Sequence, residues 1–227
     1  KLKVIDYANP IGDIDKLKIQ ERQMTYLSLE QIDLLLNTIK ERGNEVMCHG
    51  MHMDALHYGG QDKQIEAQLV QDSLTQLREL TEQNVTGWLS PGRNESENTP
   101  ELLAANGVRY FCDWVNDDMP YTFNTQQGNL WAMPLSNELD DTFIMLNNLH
   151  SEEAYAEQMI DACDYLLKEA NEQGGRILSL NIHPWMLGQP HRIAALERVL
   201  EYVMDQDVYS ASASDILDAF TSQLKAP

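Results

Sequence analysis

Short apolar runs alternate with longer amphipathic stretches along the chain, the pattern of an α/β fold. Lys3–Ala8 reads as a short strand closed by Asn9-Pro10, and Ile11–Tyr26 as a polar loop or strained helix. Ser28 opens a helix through a capping box with Gln31. Ile32, Leu35, Leu36 and Ile39 form its apolar stripe, and Gly43 stops it. Glu45–Cys48 is then a strand, residues 62–82 a helix, Val85–Leu89 a strand, Thr99–Asn106 a short helix and Val108–Cys112 a strand. Leu130–Met133 and Phe143–Leu146 fit short strands. Ser151 caps a long helix running to about Gln173. Ile177–Ile182 is an apolar strand, a helix spans about Pro190 to Met204, Val208–Tyr209 is a strand, and a last helix begins near Ser214. No linker, repeat or low-complexity stretch interrupts the pattern, so residues 1–227 read as a single domain.

Polar clusters stand where the predicted strands end, and in parallel α/β folds function gathers at strand carboxyl ends. His49, Pro91–Asn94, Asp113–Asp118 and His183 all fall there. Charge narrows the choice of partner. Sixteen Lys and Arg face 36 Asp and Glu, a formal net charge of −20, which repels phosphate backbones and anionic lipid. Nucleic-acid and membrane-surface roles are disfavoured. A neutral or cationic small molecule, or a neutral glycan, fits better.

The cysteines Cys48, Cys112 and Cys163 are odd in number and lack paired spacing, which favours a reducing, cytoplasmic setting over a disulfide framework. No run of about 18 apolar residues offers a membrane span. The chain starts at Lys1, so a periplasmic or secreted location stays open. P-loop, dinucleotide-binding and serine-hydrolase signatures are missing.

His183 follows the apolar strand and precedes Pro184-Trp185; a histidine there suits proton transfer near neutrality, or else bonds a loop. His49, His52 and His57, with Asp54 nearby, offer divalent-metal ligands, although their loop spacing fits structural histidines as well. Arg93, in the turn Ser90-Pro91-Gly92-Arg93-Asn94, can clamp a carboxylate or stabilise an oxyanion. Asp113, Asp117 and Asp118 crowd together, as catalytic bases do and as solvated loops also do.

The order of these segments resembles that of the NodB-homology polysaccharide deacetylases. ERGNEVMCHG (41–50) is similar to the family's RGHEI-x-x-HG segment. GWLSPGRNESENTPELLAANGVRY (87–110) resembles the stretch around its third motif, in the form found in metal-independent allantoinases. DWVNDDMPY (113–121) and SLNIHPWMLGQPHRIAALERVLEYV (179–203) resemble later segments of the same branch.

The resemblance implies a distorted (β/α)7 barrel that hydrolyses amide C–N bonds, on N-acetyl amino sugars or, in the allantoinase branch, a cyclic ureide. His183 would be the general acid and His49 the first histidine of the second motif. Met53 stands where that motif's second histidine belongs, as an apolar residue does in the allantoinase branch. Nothing matches the first motif, T-F-D-D-G. Lys1–Pro10 resembles the family's second strand, so the first βα unit is expected to be missing from this chain.

The leading expectation is therefore a C–N hydrolase without a resident cofactor. Its catalytic residues would be His183, His49 and Asp117, its substrate residues Arg93, Trp88, Trp114, Asp118 and Trp185. A second expectation is a zinc-dependent deacetylase using His49, His52 and Asp54. A third is a non-catalytic glycan- or ligand-binding module on the same scaffold. Partners would be a small-molecule or glycan amide and, if the barrel is incomplete, a second copy of the chain.

Overall fold

The computed structural model describes residues 27–224. The expectations for Lys1–Pro10 and Ile11–Tyr26 lie outside the described residues. Ser28 caps α1 (Leu29–Arg42) through the expected box with Gln31, and Gly43 ends it in the left-handed conformation. Helix α2 (Lys63–Thr81) starts on Asp62, whose carboxylate accepts from two first-turn amides. Then follow β1 (Gly87–Trp88), α3 (Thr99–Ala105), β2 (Tyr110–Phe111), β3 (Tyr121–Thr125) and β4 (Gly128–Ala132). The remainder holds α4 (Glu152–Gln173), a four-residue α5 (Pro184–Leu187), α6 (Ile193–Met204) and α7 (Ala213–Leu224).

The sheet is mixed, in the order β1-β2-β4-β3. The first two pairings are parallel and β3–β4 is an antiparallel hairpin. A parallel bridge from Cys48 to Trp88 extends the sheet beyond β1, and a second, isolated parallel bridge joins Asp140 and Asn181. On one face α2 and α3 pack Val70, Leu74, Leu102 and Leu103 against Trp88, Phe111, Leu130 and Ala132. The opposite face buries Tyr110, Cys112, Met133 and Leu217. A separate core joins α4, α5 and α6 through Tyr155, Met159, Met186, Leu187 and Val199.

Four sequence expectations are corrected. Glu45–Cys48 contributes only the bridge at Cys48. Phe143–Leu146 is a π-helical turn (Phe143–Asn147), because Asp140 accepts from the Thr142 and Phe143 amides and winds the backbone there. Ile177–Ile182 contributes a single bridge at Asn181 and stays half-buried along its length, so its apolar residues lack the ladder partners of a full strand. Val208–Tyr209 is irregular. Strand β3, which the sequence reading missed, alternates half-buried and exposed positions as the outer strand of a hairpin.

Glu45 ties the segment before His49 to the last helix. Its carboxylate accepts from the Tyr110 hydroxyl at 2.9 Å and from the Ser214 amide at 3.1 Å, and takes the Ser214 hydroxyl as well. Burial raises the Tyr110 phenol's pKa, and the Glu45 charge adds to the rise. Glu45→Ala leaves these donors without an acceptor. It is expected to cost about 1–3 kcal/mol and to lower Tm by several degrees in a circular-dichroism melt, whereas Glu45→Gln should cost less.

Candidate active site

Two imidazoles each follow a bridged chain segment, and each is held through Nδ1. His49 follows the bridge residue Cys48. Its Nδ1–H donates to the Leu89 carbonyl at 2.7 Å, which leaves Nε2 of this exposed side chain available. Gly50 allows that approach: its φ is +73°, and a Cβ there would lie 2.5 Å from Pro91. The other histidine, His183, N-caps α5. Its Nδ1 lies 2.5 Å from Asp141 Oδ1, and its backbone N–H donates to Asp141 Oδ2 at 2.7 Å. Asp141 is fully buried while the His183 side chain is 35% exposed, so the pair has a closed acidic end and an open imidazole end. The Trp185 ring, itself exposed, meets the imidazole edge at 5.7 Å.

Asp141 is the functional residue that sequence reading missed. Two adjacent acids in a chain with 36 carry no distinctive signal. Its place is fixed from both sides: its amide donates to Asn181 O at 3.3 Å, and the Asn181 side-chain amide donates to Asp140. Asp140, Asp141 and His183 form the only group of three ligand-type side chains among the described residues whose donor atoms lie within 4.8 Å of one another, and this group could hold a metal ion. Both oxygens of Asp141 already accept from His183. Asp140 accepts from the Thr142 and Phe143 amides, the Thr142 hydroxyl and Asn181. An ion there would share oxygens that already accept these hydrogen bonds. His49, His52 and Asp54 do not gather into such a group; His52 pairs with Asp54 in the exposed loop.

Arg93 belongs to the same end of the sheet. Its Nη1 donates to Leu135 O at 2.8 Å and Cys112 O at 3.3 Å, while Nη2 is buried with no hydrogen-bond partner among the described residues. Burial draws its pKa below the ordinary value, opposed by Cys112, Asp113 and Asp140. A φ of +54° at this non-glycine residue stores strain of about 1–3 kcal/mol. Trp114 is exposed and donates its indole N–H to Glu95 at 2.7 Å. Trp88 is wholly buried and donates to Ser90 Oγ at 2.8 Å, so it supports the turn from behind instead of facing a ligand. Asp117 and Asp118 are exposed; Asp117 accepts from the Met119 amide, and Ile177 donates to the Asp118 carbonyl.

Two acid networks, one half-buried and one buried, flank the turn that carries Arg93. Asp113 accepts from the Ser90 amide at 2.7 Å and its hydroxyl at 2.8 Å. Glu66 accepts from the Ser96 and Thr99 hydroxyls, each at 2.5 Å, and lies 3.1 Å from His57 Nδ1. Burial pushes the Glu66 carboxyl up, but contacts from His57, Ser96 and Thr99 outweigh it, so its pKa falls below the usual range.

No protein-family model matches the chain, and none of the curated proteins does. Solved structures do. One neighbour is a "probable Polysaccharide deacetylase" from Pseudomonas aeruginosa PAO1, with TM-score 0.75 and 26% identity over 87% of this chain and 66% of its own. Another is Puue Allantoinase, with TM-score 0.76, 26% identity and coverage of 87% and 65%. A third, from Mycobacterium smegmatis, carries the polysaccharide-deacetylase designation, with TM-score 0.68, 25% identity and coverage of 87% and 70%. The chain thus spans about two thirds of the length of these neighbours. The resemblance to NodB-homology deacetylases and their allantoinase-like branch stands on the fold as well as on the sequence segments.

Removing Glu66 would leave the buried Ser96 and Thr99 hydroxyls without their acceptor. Glu66→Ala is expected to cost about 1–3 kcal/mol, read as a lowered midpoint in urea unfolding.

Proposed function

We propose that this structural relative of polysaccharide deacetylases and an allantoinase hydrolyses non-peptide amide C–N bonds, with an N-acetyl amino sugar or a cyclic ureide as substrate. The single observation that carries the reading is the buried Asp141 holding His183 by both its side chain and its backbone, with the imidazole open to solvent. Such a clamp fixes the ring and leaves Nε2 outward, where a proton donor to a leaving nitrogen would stand.

In the proposed reaction a water adds to the amide carbonyl carbon and gives its proton to a base. The C–N bond then breaks, and the departing nitrogen takes the proton from His183 Nε2. His49, presenting Nε2, would serve as the base, with the exposed Asp117 as the alternative. Arg93 would meet developing negative charge with the guanidinium nitrogen that has no partner. Trp114, Trp185 and Asp118 would border the substrate.

The parallel order β1-β2-β4, extended beyond β1 by the Cys48–Trp88 bridge, supports a distorted barrel. No helix among the described residues is long and apolar enough to cross a membrane. Three buried free thiols favour a reducing, cytoplasmic setting.

The test is turnover of a panel of N-acetyl amino sugars and cyclic ureides. His183→Ala is expected to lower kcat by about 10²–10⁴-fold with little change in KM, and Asp141→Asn to lower it less. Undiminished turnover in His183→Ala would overturn the reading.

A further inference from the structure

The segment that delivers His183 is held without the ladder of a regular strand. Among the described residues, the backbone of 177–182 reaches other segments at two points. The Ile177 amide donates to Asp118 O, and the Asn181 carbonyl accepts from the Asp141 amide, each at 3.3 Å. Side chains supply the rest. Ser179, Asn181 and His183 stand two residues apart, and such positions share one face of an extended chain. Ser179 Oγ accepts from the Ser136 amide at 3.3 Å, the Asn181 side-chain amide donates to Asp140 Oδ2, and His183 engages Asp141. The intervening Leu180 and Ile182 pack against the core between α4 and α6. All three polar residues therefore reach one stretch of chain, residues 136–141.

That stretch is fastened at its other end to Arg93, whose Nη1 donates to Leu135 O at 2.8 Å. The span from Leu135 to Asp141 thus connects the anchor of Arg93 to the anchor of His183. Asp140 divides its two oxygens within it. Oδ1 accepts from the Thr142 amide at 2.8 Å, the Phe143 amide at 3.0 Å and the Thr142 hydroxyl, while Oδ2 takes the Asn181 amide. One oxygen winds the π-helical turn and the other grips the segment of His183. Asn181 holds both members of the acid pair, Asp141 through its carbonyl and Asp140 through its side chain.

We propose that Asn181 is a positioning residue, and that its bond to Asp140 is the joint that sets the His183 imidazole relative to Arg93. Asn181 acts through Asp140 and Asp141, with no contact of its own to substrate. The proposal rests on the reading of His183 as the proton donor to the leaving nitrogen.

The polarity of the joint makes it testable by exchange. In Asp140→Asn the Oδ1 position must still accept from Thr142 and Phe143, so the new amide faces the Asn181 amide, donor against donor. Asn181→Asp sets carboxylate against carboxylate. The double variant Asp140→Asn/Asn181→Asp swaps donor and acceptor and restores the bond, a non-additivity that two unconnected structural residues would not show.

The decisive experiment needs no substrate. Nitrogen-15 NMR of the histidine side chains should show the hydrogen-bonded Nδ1–H signal of His183 in the parent, its loss in each single variant and its return in the double. Glu45→Ala, weakened away from the joint, should keep the signal. A signal that survives both single variants, a folded double variant that does not regain it, or its loss in Glu45→Ala as well would overturn the joint. If circular dichroism shows the double variant unfolded, Asn181→Ala decides: it removes the donor alone and must lose the signal, and retention would overturn the proposal. With a turned-over substrate in hand, kcat should fall by up to about 100-fold in the single variants, with little change in KM, and recover in the double. Failure to find a substrate would bear on the hydrolase reading and leave the NMR result intact.

Discussion

The buried Asp141 carboxylate is the constraint on which the candidate site depends. A carboxylate without solvent must be met by donors, and His183 supplies two, one from the ring and one from the backbone. Those bonds draw the segment ending in His183 against the Asp140–Asp141 pair, and the Asp140–Asn181 bridge fixes the register. The imidazole is therefore set by the fold, and only its outer edge is left for chemistry. Tyr155, buried nearby, has its phenol pKa raised by burial and by the Asp141 and Asp140 charges, which marks the surroundings of the pair as negative.

The same logic recurs on the other side of the mouth, with carboxylates again as the organising groups. Asp113 fastens Ser90, Glu66 fastens Ser96 and Thr99, and Glu95 fastens Trp114. The turn at Pro91–Arg93 accepts a positive φ at Arg93 because these anchors hold both of its flanks. A net charge of −20 is thus not only a solvated surface: several of the acids are interior fasteners that join short strands to long loops. Short strands need such help, since β1 and β2 contribute two residues each and few ladder hydrogen bonds.

Much of this was legible in the chain. Capping at Ser28 and Ser151 and the long helices followed from local chemistry, because caps and helical periodicity are encoded within a few residues. His49, Arg93 and His183 were readable from their places after apolar runs, and the structure sets each beside the ends of paired segments. The losses have physical causes. Ile177–Ile182 has strand composition, but a strand is made by its neighbours, and here one bridge is all it has. Trp88 looks in sequence like a pocket wall, yet burial against His57 makes it part of the core. Asp141 and the partners of Glu66 and Glu95 lie 30 or more residues away or on other elements, so no local pattern could announce them.

The central claim, that Asp141 fixes His183 with Nε2 turned outward, is most directly tested by nitrogen-15 NMR of the histidine side chains in the parent protein and in Asp141→Asn. The account predicts that His183 in the parent keeps a proton on Nδ1, in a strong hydrogen bond, and that this signature is lost in the variant. A His183 ring that samples both tautomers in the parent, or one unchanged by Asp141→Asn, would contradict it.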